Sequence, residues 1–256
     1  MIRTIYITFA VVILGACSVK ENRQNCPCKL VLDLSEIDTS IVKSLNILAT
    51  RDGDAVYSGH VSAFDFEREY ICDVPHGDLR LNVWYITEER IDNEFGVVIP
   101  YGCECPVLYM ASFMVDTWGE SCREVVRVHK NYCRLTVVVE GVDDPPYSLT
   151  FKGNVDGYKL NGLPSEGDFA CVAYPGEEGK LQAGLPRQVD DSLILEVDDG
   201  TTVLKTFALG EYIIKGGYDW TTEELQDLTI TLDYQITYIK IAISAWDNEY
   251  FYNVIL

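Results

Sequence analysis

Basic residues, histidines and long apolar runs are what this sequence has least of. Its 20 Lys and Arg stand against 40 Asp and Glu, a formal charge of -20 at pH 7. Such a chain repels nucleic-acid phosphates and anionic headgroups, so nucleic acid is excluded as a partner, and so is membrane attachment through a basic patch. The three histidines, His60, His76 and His129, fall in unlike contexts, a strand, a turn and a strand end. Each reads as structural rather than as a base or ligand. No GxSxG, HExxH, Walker A or GxGxxG pattern occurs, and Gly176-Glu177-Glu178-Gly179-Lys180 lacks both the spacing and the Ser/Thr of a phosphate loop. The expectation is a protein that is not an enzyme and carries no cofactor. Long helical periodicity is also missing.

The longest apolar run, Ile5 to Leu14, has about ten residues, against roughly 20 needed to span a bilayer as a helix. Arg3 precedes it and Leu14-Gly15-Ala16-Cys17 closes it, which is the layout of a lipoprotein signal peptide. Small Gly15 and Ala16 suit a narrow peptidase cleft, and Cys17 offers a thiol for diacylglyceryl transfer. Residues 1–16 are expected to be removed between Ala16 and Cys17, which leaves 240 of the 256 residues. Two or three acyl chains on Cys17 then hold the protein, since one chain binds only marginally at about 0.8 kcal/mol per buried methylene. Residues 17–28 form a polar, lipidated tether. Within it, Ser18-Val19-Lys20-Glu21 faintly resembles the export signals that send some lipoproteins to the cell surface.

Eight cysteines remain after Cys17: Cys26, Cys28, Cys72, Cys103, Cys105, Cys122, Cys133 and Cys171. An even number in an exported chain predicts disulfides, with pairing left open by the sequence. Zinc is disfavoured, because the two close pairs are spaced C-x-C rather than C-x2-C and exported thiols oxidise. Acidic pairs at Asp52/Asp54, Asp143/Asp144, Asp190/Asp191 and Asp198/Asp199 follow no EF-hand pattern and read as solvated turns. No metal is expected.

A content of 48% hydrophobic and 11% aromatic residues, rich in Val, Ile, Thr, Tyr and Phe, favours strands. From Lys29, residues Leu30, Leu32 and Leu34 alternate with Val31 and Asp33, a half-buried strand. Similar segments recur at 45–49, 55–61, 69–74, 79–86, 107–115, 123–130 and 132–142, with turn chemistry at Asp52-Gly53, Pro75-His76-Gly77 and 116–120. Asp143-Asp144-Pro145-Pro146 then interrupts the pattern, since consecutive prolines cannot sit in a paired ladder. Strands resume at 147–152, 168–174, 193–197, 202–209, 228–234, 236–246 and 250–255. One helical turn is predicted at Thr221 to Leu225, where Glu224 follows Thr221 in a capping-box pattern. The fold predicted is all-β, two antiparallel β-sandwich domains over 29–142 and 147–256. Tyr250, Phe251 and Tyr252 read as core aromatics of a strand before they read as a sugar platform.

Several of these residues resemble a known family. A lipobox followed by Asn25-Cys26-Pro27-Cys28 and an alternating strand resembles the start of FimB-like fimbrial anchor lipoproteins. Tyr101-Gly102-Cys103-Glu104-Cys105-Pro106-Val107-Leu108-Tyr109 is similar to the family's central segment, except that Pro106 replaces an expected acidic residue. His129 to Leu135, Leu209-Gly210-Glu211-Tyr212, Asp227 to Tyr234 and Ile239 to Trp246 follow in the family's order. The resemblance implies transthyretin-like sandwiches, an outer-membrane lipid, a location at the cell surface, and a fimbrial shaft subunit as partner. Contact with that subunit by strand addition is expected through Ile239, Ile241, Ile243, Phe251 and Val254. The competing reading from another class is a surface lipoprotein that binds a glycan or other extracellular ligand on the same scaffold.

Overall fold

The computed structural model describes residues 26–66, 69–87, 92–93, 96–141, 148–159, 161–175, 180–233, 238–245 and 248–255. Ala16, Cys17 and the expected signal peptide lie outside these residues, as does the Asp143–Pro146 break.

The chain is all-β and builds two sandwiches. In the first, a three-stranded sheet has the order β4 (Tyr70–Val74), β1 (Cys28–Asp33), β9 (Ser121–Val125). It faces a five-stranded sheet ordered β10 (His129–Lys130), β8 (Leu108–Asp116), β5 (Asp78–Ile86), β2 (Ser44–Arg51), β3 (Asp54–Ser62). Alternation decides which faces meet. Cys28, Leu30 and Leu32 of β1 and Leu79, Leu81 and Val83 of β5 are all fully buried in one shared core. Strands β2 and β3 are joined through Asp52 and Gly53, both at positive φ, 52° and 93°. A two-residue turn of that handedness matches the twist of the strands it joins.

The second sandwich pairs a sheet ordered β14 (Tyr174–Pro175), β15 (Leu181–Pro186), β11 (Tyr132–Glu140), β18 (Asp227–Asp233), β19 (Tyr238–Ala245), β20 (Asn248–Ile255) with a second one. The latter is ordered β17 (Val203–Phe207), β16 (Ile194–Asp198), β12 (Ser148–Lys159), β7 (Gly96–Val98), β6 (Asp92–Asn93), with β13 (Pro164–Val172) also on β12. Their common core holds Leu135, Phe151, Tyr158, Phe169, Leu195 and Ile230.

Five features differ from the sequence reading. Strand β11 was expected at the end of the first domain, yet Leu135 and Val137 sit in the second core, and β6 and β7 join that half as well. Alternation shows which residues share a face but not which sheet will take them. Neither sandwich is wholly antiparallel, because β1 runs parallel to β9 and β11 parallel to β18.

The segment around Thr221 forms turns rather than a helix. Asp219 takes the amide of Thr221 at 2.8 Å and its hydroxyl at 2.7 Å, while the Glu224 carboxylate reaches across to His129 and Lys130 instead of back to Thr221. The helix lies earlier, at α1 (Leu209–Lys215), where a strand was expected to end. Leu209, Gly210 and Ile213 are its buried residues. Gly210 lets α1 approach the 191–193 backbone so closely that a Cβ would stand 2.3 Å from the Asp191 carbonyl.

None of the eight cysteines from Cys26 to Cys171 is bridged; all are free thiols, so the expected oxidation is not seen. Cys28, Cys72 and Cys122 lie on adjacent strands, with Cys72 and Cys122 both in register with Leu30. Cys105, Cys133 and Cys171 are buried in the second core.

Candidate assembly surface

A lipid-tethered protein has two ends that matter: the one next to the tether and the one furthest along the chain from it. At the first end, β1 begins at Cys28, the last residue of the expected tether. It is the middle strand of its sheet, with Cys28 to Leu32 antiparallel to Val74 to Tyr70 and Lys29 to Asp33 parallel to Ser121 to Val125. Both backbone edges of β1 are therefore occupied.

Arg123 fastens the exposed side of this sheet, pairing with Asp33 at 2.9 Å and with Glu69. Ser35 and then Arg123 hold the Asp33 carboxyl below the usual carboxylate range. Exposed pairs of this kind contribute little stability, so the core beneath must do most of the holding.

At the second end, β18, β19 and β20 run antiparallel in succession and β20 closes the sheet order. Of the five residues expected to meet a partner, Ile239, Ile241 and Ile243 are in β19, whose backbone is paired on both sides. Phe251 and Val254 are in β20. Val254 stands opposite Ile239 in the register and Phe251 opposite Ala242. The side chains of these five residues lie outside the described set. Sequence reasoning found the strands but not the distinction between them. Of the two, β20 presents the outer backbone edge among the described residues, and β19 becomes available when β20 leaves.

Between these ends, a polar network that sequence reasoning missed gathers around Asn131, the residue that links β10 to β11. Arg187 donates to the carbonyls of Trp220, Thr222 and Glu223 and to the Asn131 side chain. The buried Tyr158 hydroxyl donates to the Asn131 carbonyl and accepts the Arg187 amide at 2.9 Å. No spacing rule links residues so far apart, and a lone Arg or Tyr gives no advance signal.

Four of the thiols are chemically quiet. Burial pushes Cys72 and Cys122 up to about 11, and Cys133 and Cys171 up to about 12, so all four stay protonated at neutral pH. Among the described residues no cluster of three or more His, Cys, Asp or Glu is placed to hold a metal. The histidines are scattered: His60 contacts Asn46, His76 the Thr117 carbonyl, and His129 the carboxylates of Glu223 and Glu224. No helix among the described residues is long and apolar enough to cross a membrane.

Fold and geometry together define a two-sandwich β-protein with a locked first strand and a terminal hairpin at a sheet edge. The sequence matches no family model and no curated protein. Its fold, however, is shared with solved structures. It is similar to the fimbrial anchor protein Mfa2 from Porphyromonas gingivalis, with a TM-score of 0.61 at 12% identity, covering 86% of this chain and 98% of that one. It is also similar to a candidate adhesin from Bacteroides ovatus, with a TM-score of 0.63 at 14% identity over 89% and 96% of the two chains. A candidate polysaccharide-binding protein from Bacteroides thetaiotaomicron gives a TM-score of 0.66 at 8% identity over 89% and 98%. The all-β, two-sandwich fold that the sequence motifs implied is thus the fold of this chain, shared with these solved structures.

Proposed function

We propose that this protein is a lipid-anchored outer-membrane lipoprotein that holds a fimbrium at the cell surface, contacting the first shaft subunit by strand addition at the β19–β20 end. The observation that carries the reading is the contrast between the two termini. A base subunit has to keep its own first strand, because that strand leads to the lipid, and it has to offer a strand or an edge at the other end. Here β1 is enclosed between β4 and β9, whereas β20 closes its sheet. Strand addition supplies main-chain hydrogen bonds in register, and alternate side chains give it specificity. Lipid on Cys17 supplies attachment to the membrane, and the reading needs no catalytic step and no cofactor.

A chain truncated after Trp246 tests it by removing β20. The expected result is a lipidated, membrane-bound protein with an intact first sandwich that no longer co-purifies with shaft subunits from membranes. A truncated chain that folds fully and still retains the fimbrium would overturn the assignment of the contact to β20.

A further inference from the structure

Strand β1 begins at one particular end of the first sandwich, and the pairing shows what else stands there. Cys28 is in register with Val74, Lys29 with Ser121 and Asp78 with Asp116, while the Arg51 guanidinium donates to the His76 carbonyl. The Asp52-Gly53 turn, the 75–77 turn and the 116–120 turn therefore share the end at which β1 starts.

The 116–120 turn is firmly braced. Thr117 is fully buried, and its hydroxyl lies 2.8 Å from both the Pro75 and the Gly77 carbonyls. Its amide donates to the Gly77 carbonyl at 2.9 Å, and its own carbonyl lies 2.7 Å from His76 Nδ1. Asp116 Oδ1 accepts the Trp118 amide at 3.0 Å, and the Glu120 carbonyl accepts the Lys29 amide, also at 3.0 Å, which ties the turn to the first strand. Trp118, on this fixed support, is 68% exposed. A single exposed apolar side chain calls for no explanation by itself, but here the backbone on both sides of it is anchored and the tether enters beside it.

The length of that tether limits where a membrane can be. The 11 residue steps from Cys17 to Cys28 reach at most about 40 Å when fully extended. Under the lipid anchoring proposed above, the Trp118 end is thus the end of the first sandwich nearest the bilayer along the chain. An indole suits the boundary between acyl chains and headgroups, because its ring is apolar and its N–H can donate to wet oxygens. One indole holds a free protein only weakly. A tethered protein, however, meets the surface at an effective concentration on the order of millimolar, where a weak contact is populated.

Charge selects the lipid. Asp52, Asp54, Asp78, Asp116 and Glu120 are all exposed at this end, so anionic headgroups are repelled and zwitterionic ones are not. We propose that Trp118 seats the tether-proximal end of the first sandwich on a zwitterionic lipid surface, with its indole among the headgroups. This inference rests on the anchoring reading and adds an orientation to it.

The test reconstitutes the acylated protein into vesicles of phosphatidylethanolamine and phosphatidylcholine, with and without acyl chains brominated close to the headgroup, which quench tryptophan at short range. Wild-type emission is expected to fall in the brominated vesicles, and Trp118→Ser to lose that quenching. Phe64→Ser is the control: Phe64 is 89% exposed, but it follows β3 at the opposite end, where Ser62 pairs with Ser44, and this variant should be quenched like wild type. Adding phosphatidylglycerol should weaken the quenching. Equal quenching in wild type and Trp118→Ser, an equal loss in Phe64→Ser, or stronger quenching with phosphatidylglycerol would each overturn the proposal, and loss of shaft subunits from Trp118→Ser with quenching unchanged would give the surface to a protein partner instead. An intact mass without acyl chains would overturn the anchoring and this inference together, whereas an acylated protein with no Trp118-dependent quenching overturns this inference alone.

Discussion

Glu224 accepts the backbone N–H of Lys130 at 2.8 Å through one carboxylate oxygen, while the other lies 2.9 Å from His129 Nδ1. Lys130 returns the contact: its carbonyl accepts the Leu225 amide at 3.1 Å, and its ammonium reaches Asp227 at 2.5 Å. His129 and Lys130 form β10, which pairs with Met110 and Tyr109 of β8. The loop before β18, rooted in the second core by Trp220 and Leu225, therefore grips an edge strand of the first sandwich.

Glu224→Ala should loosen that grip. The Glu224 side chain is 57% exposed, so the expected loss is modest, about 1 kcal/mol in urea unfolding. The specific readout is amide exchange at Lys130, which should speed up well beyond that of neighbouring β11 amides. Unchanged exchange at Lys130 would show that the carboxylate does not hold the strand.

The buried thiols predict an alkaline weakness. On unfolding, Cys133 and Cys171 ionise near 9.0, but burial holds their protons in the fold up to about 12. Between those values the folded chain binds more protons than the unfolded one. This contribution to stability is complete below about 9 and is lost as pH rises through about 12. Urea midpoints measured across that window should fall more steeply for wild type than for Cys133→Ala/Cys171→Ala, even though the double variant starts lower from lost packing. Parallel curves would assign the alkaline loss to other groups. Alkylation before denaturation should label the exposed Cys26 and Cys103 first.

Attachment should depend on a single atom. On the proposed anchoring, Cys17→Ala removes the thiol offered for acylation, and the expected outcome is an unlabelled protein in the soluble fraction after metabolic acyl labelling. With the anchor gone, fimbriae should assemble but be shed. A labelled, membrane-bound variant would locate the lipid elsewhere.

Much of this architecture was legible in the sequence wherever a single face decides the outcome. Leu30 and Leu32, or Leu79, Leu81 and Val83, announce their strands because one side of each must be dry. Pairing was less legible. Nothing in Tyr132 to Glu140 says that its neighbours will be β15 and β18 rather than strands nearer in sequence, since both choices bury the same Leu135 and Val137. Thr221 and Glu224 carry a capping-box pattern, but a tertiary use of Glu224 outweighs the local one. Leu209-Gly210-Glu211-Tyr212 was recognisable as a motif, yet its helix depends on Gly210 meeting the Asp191 backbone, a contact no local rule contains. The buried Asn82 drew no notice at all, because a polar residue between apolar ones on a strand is the ordinary signature of a wet face.

The enclosure of β1 also bears on how the protein would carry load under the proposed anchoring. Tension applied along β1 from Cys28 would meet ladder bonds that run across the strand axis. Five residue pairs on the β4 side and five on the β9 side carry the load together rather than one after another. A strand loaded in shear resists far more force than one peeled from an edge. Strand β1 is thus built like a lap joint glued on both faces, and rupture there requires the whole three-stranded sheet to slip at once.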